Sequence, residues 1–162
     1  MLDVDTMAEF LVNARKRAKP VANLTKKYPD FPLEQAYAIQ NRWVELVCHE
    51  EGEVVTGFKM GLTSLAKQKQ MGVSQSIYGT LTDAMEIEDG QVMPLDGRIH
   101  PKAEPELGVI LEHEISRPLS PEESLTKCES VFAAIEIIDS RYIDFKFKLP
   151  DVIADNTSAA GY

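Results

Sequence analysis

Two cysteines in 162 residues, Cys48 and Cys128, exclude a disulfide framework, and their spacing matches no zinc-binding pattern. A reducing compartment is the default expectation. No apolar run approaches the roughly 20 residues that span a bilayer. The N-terminus MLDVDTMAEFLVNARKRAKP has no apolar stretch followed by a small-residue cleavage site, so no secretory signal is expected. Positive charge is also scarce, with 17 Lys and Arg against 26 Asp and Glu and a formal net charge of −9. A phosphate backbone is repelled by such a surface, which argues against nucleic acid. These absences lead by elimination to a cytoplasmic protein with no membrane partner. Internal repeats, low-complexity tracts and linkers are missing as well. So are a GxSxG elbow around Ser158 and a phosphate-cradling glycine motif. The three histidines form no metal pattern: His49 ends a polar helix, His100 precedes Pro101 and His113 lies between two glutamates.

What is present reads as one globular domain, with 44% apolar and 27% charged residues. Residues 5 to 18 have Met7, Phe10, Leu11 and Ala14 at helical spacing and a basic end, with Pro20 as the stop. A second helix runs from Pro32 to about residue 50 on a stripe of Leu33, Ala36, Tyr37, Gln40, Trp43, Val44 and Val47, and Gly52 ends it. EVVTGFKMGL (53–62) reads as a glycine-punctuated strand, and Thr63 as the cap of a short helix. The stretch 73–97 contains several short strand-like pieces. Ser120, Pro121 and Glu123 start a helix in SPEESLTKCESVFAA, AIEIIDS (134–140) is a strand, and the remainder to Tyr162 has loop-like chemistry, with no helix or strand to tie down its end. Helices first and strands later predict an α+β fold, with an N-terminal helical segment (1–52) packed on a β-rich domain (53–162).

The stretch HPKAEPELGVIL (100–111) sets Glu104 and Glu106 on one side of an extended chain and Leu107, Val109 and Leu111 on the other, the side a core would take. Glu136, between Ile135 and Ile137, is a carboxylate that burial would penalise unless compensated. If the two strands are neighbours, three carboxylates form an all-oxygen site for a hard divalent cation with positions left for a chelating substrate. The plainer alternative sets Glu104 and Glu106 on a solvent-facing surface and pairs Glu136 with an arginine such as Arg141. Spacing alone favours the plainer one, because surface carboxylates are common. Lys59 lies in an apolar, glycine-lined strand; its ammonium either binds a carboxylate or handles a proton, or its stem packs while its head reaches water.

GFKMGLTSLAKQKQMGV, IYGTL, HPKAEPELGVIL, AIEIIDSRY and VIADNTS, in that order from about Ala36 to the last residue, resemble the hydratase and decarboxylase family of bacterial aromatic meta-cleavage pathways, in the fumarylacetoacetate hydrolase superfamily. The resemblance implies a mixed, mainly antiparallel sheet or roll of that superfamily's type. It implies magnesium or manganese held by Glu104, Glu106 and Glu136, and it overturns the plainer reading of the glutamates. Lys59 takes the place of the family's site lysine, with Ser158 and Asp155 as further catalytic candidates. Leu62, Ile77, Tyr78, Arg141 and Asn156 become candidates for contacting substrate. The family's strands beyond the ADN-x-S segment are expected to be missing here, which puts the activity of the 162-residue chain in question and leaves open strand edges that favour aggregation.

Hydratases of this family usually carry an acidic residue two positions before the glycine of PDFG or PDYG. Here SIYG has Ile77 at that place and Tyr78 after it, and DSRY (139–142) stands where hydratases read GSR. The decarboxylase branch is therefore the expectation: loss of carbon dioxide from 2-oxohex-3-enedioate, giving 2-hydroxypenta-2,4-dienoate, with a small dicarboxylate 2-oxo acid as substrate. Decarboxylation activates no water, so a base near the olefin is not needed. The family's habits also imply a homo-oligomer and a possible complex with the pathway hydratase. The alternatives are a hydratase with the same metal site and a truncated, non-catalytic partner subunit; a plain structural domain would make the ordered motifs accidental.

Overall fold

The computed structural model describes residues 3–162. Helix α1 (Val4–Lys16) begins at Asp3, whose carboxylate accepts a hydrogen bond from Thr6 N, and ends with Arg15 and Lys16, charges that suit the negative end of a helix dipole. A short turn, α2 (Leu24–Lys27), leads to α3 (Leu33–Glu51), which Gly52 closes at φ 73°. The buried face of α1 is Ala8, Leu11, Val12 and Ala14; Phe10, expected in the stripe, is 39% exposed. On α3 the expected stripe holds: Ala36, Gln40, Trp43 and Val47 are buried, with Leu33, Tyr37 and Val44 packed beside them.

Strand β1 (Val55–Gly61) pairs antiparallel with β2 (Ile77–Thr82), and α4 (Leu65–Met71) lies in their connection. Ser64, not Thr63, caps α4, its side chain accepting from Lys67 N. A second sheet has the order β3 (Lys102–Leu111), β4 (Cys128–Ile138), β5 (Ala159–Gly161), all antiparallel. Helix α5 (Pro121–Leu125), in the connection from β3 to β4, carries the expected capping box between Ser120 and Glu123. It lasts only five residues, and Cys128 already begins β4, so the strand expected at 134 starts six residues earlier. Of the strand pieces expected in 73–97, β2 alone is a strand among the described residues.

The chain's last stretch departs most from expectation. Instead of a loop it forms helix α6 (Leu149–Ala154), a tight turn at Asn156–Ser158 and β5, and residues 151–161 are all buried. Helix α6 packs on α3, and Ile153 and Ala154 share one core with Trp43, Ile77 and Tyr142. That core draws on both sides of residue 52. The β3–β4 hairpin, by contrast, lies outside it. Leu107 is 76% exposed, and Val109, Ile110, Leu111, Val131, Phe132 and Ile135 are exposed too. The expectation that Leu107, Val109 and Leu111 face a core is thus not met, because no helix among the described residues covers that side. The architecture is α+β with two small antiparallel sheets.

Candidate metal centre and active site

The register of β3 and β4 sets Glu104 directly opposite Glu136, and Glu106 opposite Ala134. Side chains alternate along strands, so the three carboxylates converge on one face. One oxygen from each lies within 4.8 Å of the others. Glu136 is buried, Glu104 half-buried and Glu106 exposed. Burial pushes the Glu136 carboxyl above its ordinary range; Lys59 opposes that shift, and Glu104 and Glu106 add to it.

Lys59, on β1, reaches across from the other sheet. Its Nζ lies 2.6 Å from Glu136 Oε1, with both side chains less than a tenth exposed, and donates to the carbonyl of Thr157 at 3.2 Å. Glu136 therefore has a lysine partner, and the arginine suggested for it, Arg141, is engaged elsewhere. The Lys59 contact is a buried ion pair. An all-carboxylate donor set that is partly out of water suits a hard divalent cation. Lys67, on the solvent side, comes within 3.5 Å of Glu104 Oε1.

The wall behind Lys59 is the turn Asn156-Thr157-Ser158, whose φ values are 48°, 51° and 58°. Three consecutive non-glycine residues in the left-handed region cost on the order of 1–2 kcal/mol each, so tertiary bonds must hold them. Asn156 Oδ1 accepts from Thr80 N at 2.7 Å, and Asn156 Nδ2 donates to Thr80 O at 2.8 Å. Thr157 Oγ1 donates to Tyr78 O, and Asp139 N donates to the carbonyl of Ser158. Glycine is needed beside this turn: a Cβ on Gly79, the register partner of Lys59, would lie 2.6 Å from the Asn156 carbonyl oxygen. Leu62, just past β1, is also left-handed at φ 57°, and its carbonyl accepts from Gln68 and Ser76 side chains.

Other expected site residues are placed as follows. Arg141 and Asp155 form a buried ion pair, and the guanidinium also donates to the carbonyls of Asp139, Ala159 and Asp155. Both hold backbone next to the Asn156–Ser158 turn rather than reaching the three glutamates. Burial raises the Asp155 carboxyl to about 6 despite Arg141. Ser158 is buried, and its hydroxyl has no partner among the described residues. Ile77 is buried in the shared core, while Tyr78 stacks on Tyr37 at 4.7 Å between ring centroids. Sequence reasoning missed Gln40, whose Nε2 donates to Tyr78 O and Ile153 O, and Asp139, whose carboxylate accepts from Ile99 N and His100 N. A glutamine in an otherwise apolar helical stripe was the available signal for the first.

No protein-family model matches the chain. It is 49% identical over 119 residues to a 4-oxalocrotonate decarboxylase of Pseudomonas sp, covering 72% of this chain and 46% of that protein. It is 36% identical over 157 residues to a 2-hydroxypent-2,4-dienoate hydratase of Pseudomonas putida, covering 96% of this chain and 70% of the relative. The solved structure of 4-oxalocrotonate decarboxylase from Pseudomonas putida G7, complexed with magnesium and adipate, superposes with a TM-score of 0.93 at 34% identity, covering 99% of this chain and 62% of that one. The chain thus spans about half the length of the first of these relatives.

Proposed function

Because the chain belongs to the family of 4-oxalocrotonate decarboxylases and 2-keto-4-pentenoate hydratases, we propose that it is a divalent-metal-dependent carbon–carbon lyase, decarboxylating 2-oxohex-3-enedioate to 2-hydroxypenta-2,4-dienoate in aromatic meta-cleavage catabolism. The observation that carries this reading is the convergence of Glu104, Glu106 and Glu136 beside the Lys59 ammonium. Adipate, present with magnesium in the solved relative, is a linear six-carbon dicarboxylate like the proposed substrate.

Magnesium or manganese, held by the three glutamates, would supply Lewis-acid stabilisation of the charge that develops on the 2-keto oxygen. Loss of the distal carboxylate as carbon dioxide leaves an electron pair that moves through the conjugated chain to that oxygen, which takes a proton to give the 2-hydroxy product. Lys59, anchored by the Thr157 carbonyl, is the group suited to neutralise a substrate carboxylate or to supply that proton. Ile77 puts hydrocarbon where a hydratase would carry an acid, which suits a reaction that activates no water. Asn156, Ser158, Arg141 and Asp155 shape the wall that holds Lys59, and Leu62 and Tyr78 border the same strand ends. The reading extends to a homo-oligomer, to association with the pathway hydratase and to the cytoplasm. The exposed apolar β3–β4 hairpin favours further protein cover, and no described helix is long and apolar enough to cross a membrane.

A hydratase with the same centre is the second reading, favoured by the 36% identity to a hydratase over nearly the whole chain. Carbon dioxide release from 2-oxohex-3-enedioate, measured with magnesium and with excess chelator, separates them. Magnesium-dependent release that is lost in Glu106→Gln supports the decarboxylase. Consumption of the dienoate without gas release assigns hydration, and a folded, magnesium-binding chain that does neither removes the catalytic reading.

A further inference from the structure

Resting on the reading of Glu104, Glu106 and Glu136 as the metal ligands, we propose that Lys59 is a built-in counter-cation of this centre, competing with the metal for Glu136 and released from it when the metal binds. The ammonium meets the one ligand that is buried and that opposes Glu104 in the strand register. Three carboxylates this close and partly out of water need a positive charge, and Lys59 Nζ at 2.6 Å supplies one. A divalent ion drawing on Glu136 competes for the same oxygen and adds like charge beside the ammonium.

The second anchor defines where the lysine goes. Thr157 O already accepts from Nζ at 3.2 Å, so release from Glu136 leaves Lys59 tethered at the rim. The left-handed turn around Thr157 keeps that carbonyl fixed. The tethered charge is then free for a second anionic group, and the centre does not present an uncompensated lysine until metal has entered. Lys67 is the internal contrast: it lies near Glu104 but is mostly exposed, so water already screens it.

The test is magnesium binding by titration calorimetry to the full chain and to Lys59→Met and Lys67→Met, at one pH and ionic strength. Lys59→Met is expected to bind magnesium about tenfold or more tightly, because no ion pair has to be broken, and Lys67→Met to stay within about threefold of the parent. Unchanged or weaker binding by Lys59→Met overturns the proposal, as does equal tightening in both variants, which long-range charge alone would produce. A parent chain that binds no magnesium removes the metal reading itself, and this proposal with it. Should Lys59→Met not fold, the ε-carbon resonance of Lys59 in the parent chain decides, assigned through Lys59→Arg. It is expected to shift on saturation with magnesium more than that of Lys67, and a resonance that does not move overturns the proposal.

Discussion

Glu104 and Glu136 face each other directly across the β3–β4 ladder, two like charges in the position where cross-strand partners are closest. Replacing Glu104 by Gln removes repulsion and a ligand at once. In chelator, Glu104→Gln is expected to raise stability by about 0.5–1 kcal/mol, read as a higher melting temperature. Its magnesium affinity is expected to fall by about tenfold or more, read by calorimetry. Opposite signs in the two measurements are the mark of a site strained for a cation; a loss in both would make Glu104 a plain structural residue.

Gly79 lies where β2 meets the left-handed turn, and an added methyl group would press on the Asn156 carbonyl at 2.6 Å. Gly79→Ala is expected to cost about 1–3 kcal/mol, since backbone on that side cannot rotate away. Gly57→Ala, on β1 with nothing within 4 Å of its added carbon, should stay within about 0.5 kcal/mol. Urea midpoints of the two variants make the comparison, and equal losses would show that the close approach is unimportant.

The Asn156 side chain replaces a missing strand partner by bonding both the N–H and the C=O of Thr80. Truncation to Ala leaves two buried backbone groups unpaired. About 2–4 kcal/mol of stability should be lost, read from chemical unfolding of the parent and the variant.

Asp155 carries a pH dependence with a definite sign. Its carboxyl is raised from 3.8 to about 6 by burial, so between those values the folded chain holds a proton that the unfolded chain has released. Its contribution is therefore complete below about pH 4 and declines as pH rises through 6, by on the order of 3 kcal/mol at most. Asp155→Asn cannot titrate. The melting temperature of the parent minus that of Asp155→Asn should thus fall between pH 4 and pH 6.5, and a difference that rises over this range would reverse the assignment.

The metal ligands were legible in the sequence because an extended chain fixes which residues share a side, and Glu104, Glu106 and Glu136 needed only the two strands to be neighbours. The wall of the site was not. Asn156 tolerates a left-handed conformation locally, but Thr157 and Ser158 do not favour one; bonds to Thr80, Tyr78 and Asp139, all distant in sequence, hold the turn. The same holds for β4. Ser120 and Glu123 form the strong cap their pattern predicts, yet pairing with β3 takes the chain from Cys128 onward, so long-range register outweighs the local helical start. Arg141 illustrates a third limit: its charge invited a partner at Glu136 or in a substrate, whereas the Asp155 carboxylate and the carbonyls of Asp155 and Ala159, in a stretch with loop-like chemistry, occupy it together with Asp139 O.

The turn at 156–158 joins two sheets that share no ladder of their own. Through Asn156 and Thr157 it holds β2, and through Ser158 it holds the residue that follows β4. Amide hydrogens at Thr80, in β2, and at Asp139, just past β4, are thereby protected by neighbouring links of one turn. Opening that turn exposes both, so their exchange with solvent should occur as a single cooperative event, at a common free energy, while amides on the open hairpin near Leu107 exchange independently.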